Sequence, residues 1–306
     1  MKRVLKIFVL GILLLIVFSG CAEQKSEKIS IGVMPDVNSV PFIVAAENGL
    51  FKKQGVDVDI QLFTSAVERD TALQTGKIDG CVSDILAAAF AIQSGFDVKI
   101  TSVTDGDYVL LAGKNSNITD INGFKNKEIG LSTNTIIEYA VDSMLMGNGF
   151  EEEEIKKTGV PKIPVRLEML ENGQLYGACL PQPLATLAQS KGAAVIATST
   201  QQGLAPSVMV FNNSVLNENK SDLERIYKAY NIAVEQLNND AQFFKEIIIE
   251  KAKFPAEVKD NFSLPQYQKA VLPDEEDINN VLNWMDKKGL VKQKLEYKDM
   301  IEKGFF

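Results

Sequence analysis

Residues 76–81 of this chain read Gly-Lys-Ile-Asp-Gly-Cys, and residues 173–178 read Gly-Gln-Leu-Tyr-Gly-Ala. In each stretch a predicted helix ends at the first glycine, a tight turn follows, and a short buried strand lies beside the second glycine. A capped helix is predicted after each strand. The repetition indicates that the chain contains two similar units in which helices and strands alternate.

The same alternation extends along most of the chain. Apolar or alternating runs predict strands at 29–33, 56–62, 80–82, 98–103, 128–131, 176–180 and 194–197. Helices are predicted between them, at 41–48, 65–76, 85–93, 136–146, 166–172 and 184–191. From residue 220 onward the sequence is mostly helical, opening at a capping box, Ser221-Asp222-Leu223-Glu224. Strands separated by helices form parallel sheets covered by helices, so the fold class is α/β.

The first residues have the pattern of an export signal. Lys2, Arg3 and Lys6 precede an uncharged apolar run over 7–18, which is too short to span about 30 Å of hydrocarbon at about 1.5 Å per residue. Ser19-Gly20-Cys21 resembles the lipobox of bacterial lipoproteins, which implies a signal peptide over 1–20, lipidation of Cys21 and a polar tether over 21–27. The alternative is ordinary secretion, with cleavage near Ala22.

The composition restricts the chemistry. The chain has no histidine, so serine and cysteine triads lose their usual base and zinc loses its commonest ligand. We therefore expect no metal, no cofactor and no enzymatic activity, although Asp, Glu or Lys chemistry stays open. The net charge of −8 argues against binding nucleic acid. Cys81 and Cys179 each lie in a short apolar strand and are predicted to be buried free thiols.

Five stretches in the same order are similar to the solute-binding proteins that serve ABC importers of nitrate, sulfonates, taurine and thiamine-type pyrimidines. The resemblance covers essentially all of the chain after the signal peptide. At 180–183 the sequence Leu-Pro-Gln-Pro has glutamine where the family usually has glutamate. The stretches are 41–58, 72–80, 118–130, 180–183 and 284–306.

The resemblance implies a two-lobed periplasmic-binding-protein-like fold of type II, with a mainly parallel sheet flanked by helices in each lobe. Lobe one would comprise 28–110 plus 206–306 and lobe two 111–205, joined by hinge segments at 107–113 and 205–211. A small-molecule ligand would bind between the lobes and favour their closure. The implied location is the extracytoplasmic face of the cell membrane, to which a lipid would anchor the protein. There the protein, expected to be a monomer, would meet an ABC permease and its ATPase.

Ligands of α/β sheets bind beyond the carboxyl ends of the strands, where loops and helix N-termini offer free N–H groups. This rule selects loop residues, with two aromatic rings that could stack on a flat ligand. Several have an ordinary structural alternative: Ser65 and Asp84 as helix caps, Asp36 and Asn38 as turn residues, Phe42 and Tyr108 as packing residues. The predicted ligand-binding residues are Asp36, Asn38, Phe42, Ser65, Ser83, Asp84, Asp105, Tyr108, Thr133, Asn134 and Gln182.

Charge gives an expectation about the ligand. None of Arg69, Arg166 and Arg225 falls in a predicted cleft loop. The three acids among the predicted residues would oppose burial of a sulfonate or nitrate, so we favour a neutral or cationic heterocycle, such as thiamine or a thiamine-precursor pyrimidine. An oxyanion held by helix N-termini, a ligand sensor without a transport role, and an extracellular enzyme are the alternatives.

Overall fold

A computed structural model describes residues 28–204 and 206–306 of the protein. The predicted signal peptide (1–20), the lipidation site Cys21 and the tether (21–27) lie outside these residues and stay predictions. None of the helices in the described ranges is both long and apolar enough to span a membrane.

Strands and helices alternate as expected for an α/β protein. The strands are β1 (Ile29–Val33), β2 (Val58–Leu62), β3 (Gly80–Asp84), β4 (Val98–Val103), β5 (Tyr108–Ala112), β6 (Glu128–Leu131), β7 (Lys156–Gly159), β8 (Gly177–Pro181), β9 (Ala194–Thr198) and β10 (Ser207–Asn212). The helices are α1 (Val40–Glu47), α2 (Leu50–Lys53), α3 (Ala66–Gln74), α4 (Ile85–Gln93), α5 (Ile136–Met146), α6 (Ile163–Glu171), α7 (Leu184–Ser190), α8 (Asn213–Glu218), α9 (Lys220–Asn239), α10 (Lys245–Lys251), α11 (Glu275–Lys287) and α12 (Tyr297–Met300).

The strands form two sheets with the same layout. Sheet one has the order β2-β1-β3-β10-β4, and sheet two has the order β7-β6-β8-β5-β9. β1 runs parallel to β2 and β3, whereas β10 is antiparallel to both of its neighbours. In sheet two β6 is parallel to β7 and β8, and β5 is antiparallel to its neighbours. The expectation of two mainly parallel sheets flanked by helices is confirmed, with one antiparallel strand in each.

The two sheets exchange strands through two adjacent connections, at 104–107 and 199–206. The amide of Thr104 donates to the Ser207 carbonyl at 2.9 Å, and the amide of Ser199 donates to the Tyr108 carbonyl at 2.9 Å. Most of each predicted hinge segment, 107–113 and 205–211, is β5 or β10, buried inside a sheet, because continuous apolar runs form buried strands. The role of these segments as hinges stays a prediction.

The predicted lobe boundary at 110/111 cuts through β5, all of whose residues pair within sheet two. The division of the chain into lobes otherwise stays a prediction. Two local predictions also need correction. The capping box predicted at 221–224 lies inside α9, which begins at Lys220, and the edge strand β7 was not predicted because its sequence is polar.

The repeated glycines have the same structural roles in both halves. Gly76 and Gly173 end their helices with φ of 68° and 71°, a region that glycine adopts without strain. A Cβ on Gly80 would lie 2.8 Å from the Val210 carbonyl of β10, and one on Gly177 would lie 2.6 Å from the Leu111 carbonyl of β5. The second glycine of each pair is thus required for the exchanged strand to approach.

The repeat extends further than the six-residue stretches compared in the sequence. Arg69 and Arg166 are 97 residues apart, as are Gly76 and Gly173. Each arginine reaches from its helix to the neighbouring strand: Nη1 of Arg69 donates to the carbonyl of Val82 at 3.0 Å, and Nη1 of Arg166 donates to that of Cys179 at 2.7 Å. The two carbonyls are also 97 residues apart, so the halves share a buried arginine.

The prediction of buried free thiols is confirmed for Cys81 and Cys179. Burial raises the pKa of each thiol to about 12, so both stay protonated at neutral pH.

We expect the substitution Arg166→Met to lower the free energy of unfolding by about 2–4 kcal/mol, because the carbonyls of Val160 and Cys179 lose a charged hydrogen-bond donor in a buried site. Urea unfolding would measure the change. Lys269→Met is the control: its ammonium pairs with Glu235, both side chains are exposed, and its loss should cost less than about 1 kcal/mol. Equal effects of the two substitutions would contradict a structural role for Arg166.

Candidate functional site

A cavity lies where the carboxyl ends of the strands of both sheets face each other. Its volume, measured as the space that the centre of a water molecule can occupy, is about 50 Å³, enough for a few water molecules. Both halves of the chain supply its wall. The lining residues are Met34, Asp36, Asn38, Ala66, Arg69, Val82, Ser83, Asp84, Tyr108, Ser132, Thr135, Ile136, Ile137, Pro161, Ile163 and Pro181.

The loop after β1 brings an acid and an amide to this wall, as the sequence predicts for Asp36 and Asn38. Asp36 accepts a hydrogen bond from the Ser39 hydroxyl at 3.1 Å, and burial raises the pKa of its carboxyl group. Asn38 is buried, and its amide nitrogen donates to the Ser207 hydroxyl at 3.4 Å. Its Oδ1 has no hydrogen-bond partner in the described residues and lies against Gly106.

Ser83 and Asp84 reach the cavity from the end of β3. Asp84 also caps α4: its Oδ1 accepts a hydrogen bond from the amide of Ala87 at 2.8 Å. Burial raises the pKa of this carboxyl group to about 6, although the charge of Arg69 opposes the shift. Asp84 therefore both caps α4 and lines the cavity.

An arginine lies at the cavity although none falls in a predicted cleft loop. Arg69 lines the cavity from α3 and is buried. Its Nη2 lies 2.8 Å from the Asp70 carboxylate and 3.8 Å from Oδ2 of Asp84. The residue was missed because it belongs to a helix, and only loops were considered.

Tyr108 connects the cavity with the crossings between the sheets. Its hydroxyl shares a hydrogen bond with the Ser207 hydroxyl at 3.1 Å, and Ser207 in turn accepts from Asn38. Burial raises the pKa of the Tyr108 hydroxyl, which stays protonated and can donate to a bound molecule. The residue begins β5 of sheet two, whereas Ser207 begins β10 of sheet one, so this polar chain joins both sheets at the cavity.

The N-terminus of α5 supplies the opposite wall, but one residue later than predicted. Thr135 caps this helix, its hydroxyl accepting from the amide of Ile137 at 3.2 Å, and it lines the cavity with Ser132. Thr133 and Asn134 are exposed and lie outside the wall. Asn134 has a φ of 54° and donates its amide to Oε2 of Glu138 at 2.6 Å, which shows that it belongs to the turn before the helix.

Four further predicted residues do not line this cavity, each because another contact holds it. Phe42 packs in the core against Tyr230, with ring centroids 4.8 Å apart. Ser65 caps α3, Asp105 accepts from the amide of Gln268 at 2.9 Å, and Oε1 of Gln182 accepts from Thr186. The structure thus brings together Asp36, Asn38, Ser83, Asp84 and Tyr108. A role in ligand binding stays a prediction for every residue predicted.

A family model described as the NMT1-like family matches residues 22–249. No curated protein matches the sequence. Two solved structures superpose with TM-scores of 0.78 and identities of 16%: the ligand-binding component of an ABC-type import system from Staphylococcus aureus, with zinc bound, and the periplasmic aliphatic sulphonate-binding protein SsuA from Escherichia coli. Each alignment covers 90% of this chain, with 97% of the first and 92% of the second.

The desulfurization enzyme DSZB has the same fold, with a TM-score of 0.67, 11% identity, and 91% of this chain and 97% of its own chain covered. These identities establish the fold alone. The two-lobed periplasmic-binding-protein-like fold expected from the sequence is thereby confirmed.

The pKa of Asp84 leads to a prediction about stability and pH. Because the pKa is about 6 in the folded protein and 3.8 ordinarily, the folded state holds the proton more tightly, and stability falls as pH rises from about 4 to 6. Asp84→Asn removes this titration while keeping a capping side chain. The variant should therefore gain stability relative to the wild type across that window, by up to about 3 kcal/mol.

Urea unfolding at several pH values would measure this difference. Asp240→Asn, which alters an exposed cap that accepts from the amide of Phe243, is the matched control. A difference between Asp84→Asn and wild type that does not change with pH would refute the prediction.

Proposed function

The chain belongs to the NMT1-like family, and on that premise we propose that it is the substrate-binding component of an ABC importer. It holds a small polar molecule in the cavity between its two sheets and acts without catalysis. The observation that carries the proposal is the cavity wall itself, to which both halves of the chain contribute polar side chains beyond the carboxyl ends of their strands.

The size of the cavity requires movement. Sites for small organic ligands commonly measure about 300–1,000 Å³, whereas the space here admits only a few water molecules. Two adjacent connections, at 104–107 and 199–206, join the sheets, and rotation about them would part the walls. A ligand that touches both walls then favours the closed form, which a permease distinguishes from the open one.

The location follows from the proposed role. The protein works on the extracytoplasmic face of the membrane, exported by the signal over 1–20 and anchored as a monomer by lipid on Cys21. Its partners there are a permease and the ATPase that drives it. A sensor that presents the same closed form to a receptor would have the same pocket, and pull-down with a permease would distinguish the two roles.

The ligand that suits this cavity best is a neutral or cationic heterocycle, such as thiamine or a thiamine-precursor pyrimidine. The carboxyl groups of Asp36 and Asp84 are acceptors, and a ligand with N–H groups would donate to them. The positive charge of Arg69 lies beside the carboxylates of Asp70 and Asp84, although its Nη2 makes no hydrogen bond within the described residues.

A sulfonate or nitrate is the second candidate, because Arg69 does line the cavity and the sulphonate-binding protein SsuA has the same fold. Two carboxylates stand on the same wall, and an anion would have to be bound beside them or only when they are protonated. This arrangement makes the anion the less favoured ligand.

A thermal-shift screen of the protein without residues 1–21 tests these assignments, with thiamine, its pyrimidine precursors, taurine, alkanesulfonates and nitrate as the compounds. A bound compound at a hundred times its Kd adds about 2.7 kcal/mol of stability. We expect thiamine or a pyrimidine to raise the Tm. If only the anions raise it, the second candidate is correct; if no compound of either class does so, the ligand assignment fails.

The substitution Tyr108→Phe should weaken binding of whichever compound is found by roughly 5- to 15-fold, because the cavity loses one hydrogen-bonding hydroxyl. Calorimetric titration would measure the affinity. Tyr297→Phe, which removes a hydroxyl bonded to the Pro273 carbonyl away from the cavity, is the control and should bind as the wild type does. Unchanged binding by Tyr108→Phe would exclude this wall as the site.

A further inference from the structure

The segment that contains α11 and α12 is fastened to sheet one. α11 packs against α4, which follows β3 of that sheet. Beyond α11, Nζ of Lys99 in β4 donates to the Asp299 carbonyl at 2.6 Å, and Ile301 forms a parallel bridge with Ile100. Whatever α11 contacts outside this lobe is therefore a contact between the two lobes.

α11 does reach the other lobe, at α5, which packs on β5 and β8 of sheet two. The indole N–H of Trp284 donates to Oδ2 of Asp142 at 3.0 Å. Its ring meets that of Tyr139 edge-on, with centroids 5.8 Å apart and an angle of 83°. Trp284 and Tyr139 are both buried, so this contact excludes water from the surfaces of both lobes.

The charged groups around this contact are unevenly divided between the two lobes. On the side of sheet two, Nζ of Lys157 lies 2.8 Å from Glu138 and 2.6 Å from Asp142, and Glu152 adds a third carboxylate. That side thus presents three acids and one lysine. Lys288, at the end of α11, supplies the missing positive charge: its Nζ lies 2.6 Å from Glu152 and 3.5 Å from Asp142.

We propose that these residues form a latch that holds the two lobes closed over the cavity; the inference rests on the proposed function, in which the lobes part to admit a ligand. The latch comprises Glu138, Tyr139, Asp142, Glu152 and Lys157 on one lobe and Trp284 and Lys288 on the other. One helix links it to the cavity, because Ile136 and Ile137 in the first turn of α5 line the cavity wall. When α5 moves away from the cavity, it also leaves Trp284 and Lys288.

The arrangement suits a contact that must break and re-form. A buried carboxylate left without a partner is costly, which would make opening prohibitive. Here Lys157 stays with Glu138 and Asp142 in the open form, so opening removes only Lys288 and the indole N–H. Water then solvates the freed groups. The coupling between the latch and the cavity is reciprocal, so weakening the latch also weakens ligand binding.

The latch contains the single tryptophan of the chain, so fluorescence reports on it directly. The substitution Lys288→Met should shift the ratio of open to closed protein roughly fivefold or more toward the open form. Two measurements on the purified protein without ligand follow the shift: acrylamide quenching of Trp284, which should increase, and the radius of gyration from small-angle X-ray scattering, which should also increase. Lys287→Met, an exposed lysine one residue earlier, is the matched control and should leave both unchanged.

Glu152→Gln provides a second variant that is safe for folding, since this side chain is 60% exposed, and it should change both measurements in the same direction by a smaller amount. Increased quenching with an unchanged radius of gyration would mean that only the end of α11 frays, and the proposal would be wrong. No change in either measurement would overturn it as well.

The test also separates the latch from the proposed function. A radius of gyration that depends on Lys288, together with no binding of any compound in the thermal-shift screen, would retain the latch and remove the transport role. Binding of a compound in the cavity, together with a radius of gyration that Lys288→Met does not change, would retain the transport role and remove the latch.

Discussion

Each half of this molecule is completed by a strand that arrives from the other half, and the remaining structure depends on this exchange. β10 lies between β3 and β4 although the chain has passed through all of sheet two before it forms. β5 occupies the same place between β8 and β9. The approach of these strands requires glycine at 80 and 177, where any side chain would meet a backbone carbonyl. Two connections that cross side by side join the halves.

The two arginines at equivalent positions of the halves, Arg69 and Arg166, have different roles. Arg166 is buried with no carboxylate paired to it among the described residues, and burial lowers the pKa of its guanidinium to about 10. It donates to backbone carbonyls and to the hydroxyl of Ser132, and so fixes the wall of sheet two. Arg69 makes the equivalent backbone contact but has Asp70 and Asp84 beside it. Arg166 therefore stabilises the backbone around sheet two, whereas Arg69 also lines the cavity.

The sequence revealed the fold better than the site. The glycine pairs and the alternation of strands and helices depend on local backbone rules, so they identified the two units and most of their elements. The lobe boundary predicted at 110/111 falls inside a strand, since an apolar run such as 108–112 does not show which sheet will receive it.

Side-chain direction accounts for most of what was missed at the site. Thr133 and Asn134 precede the cap of α5 by one or two residues, and that offset is enough to turn them outward while Thr135 faces the cavity. Gln182 accepts from Thr186 at the start of α7, a local contact, whereas Asp105 accepts from Gln268, which is distant in the sequence. Arg69 belongs to a helix, and its place on the wall follows only from how α3 packs against β3.

Closure of the proposed lobes has opposing electrostatic contributions at the cavity and at the latch, both of which contain residues of α5. At the cavity, closing removes Asp36 and Asp84 from water, and the raised pKa of both carboxyl groups shows that burial disfavours their charged forms. At the latch, closing brings Lys288 to an excess of carboxylates and favours the closed form. A cationic or N–H-bearing ligand would remove the cost at the cavity and leave the gain at the latch, so it would shift the balance toward closure. An anion would add to the cost at the cavity, which is the physical reason for preferring a heterocycle over a sulfonate.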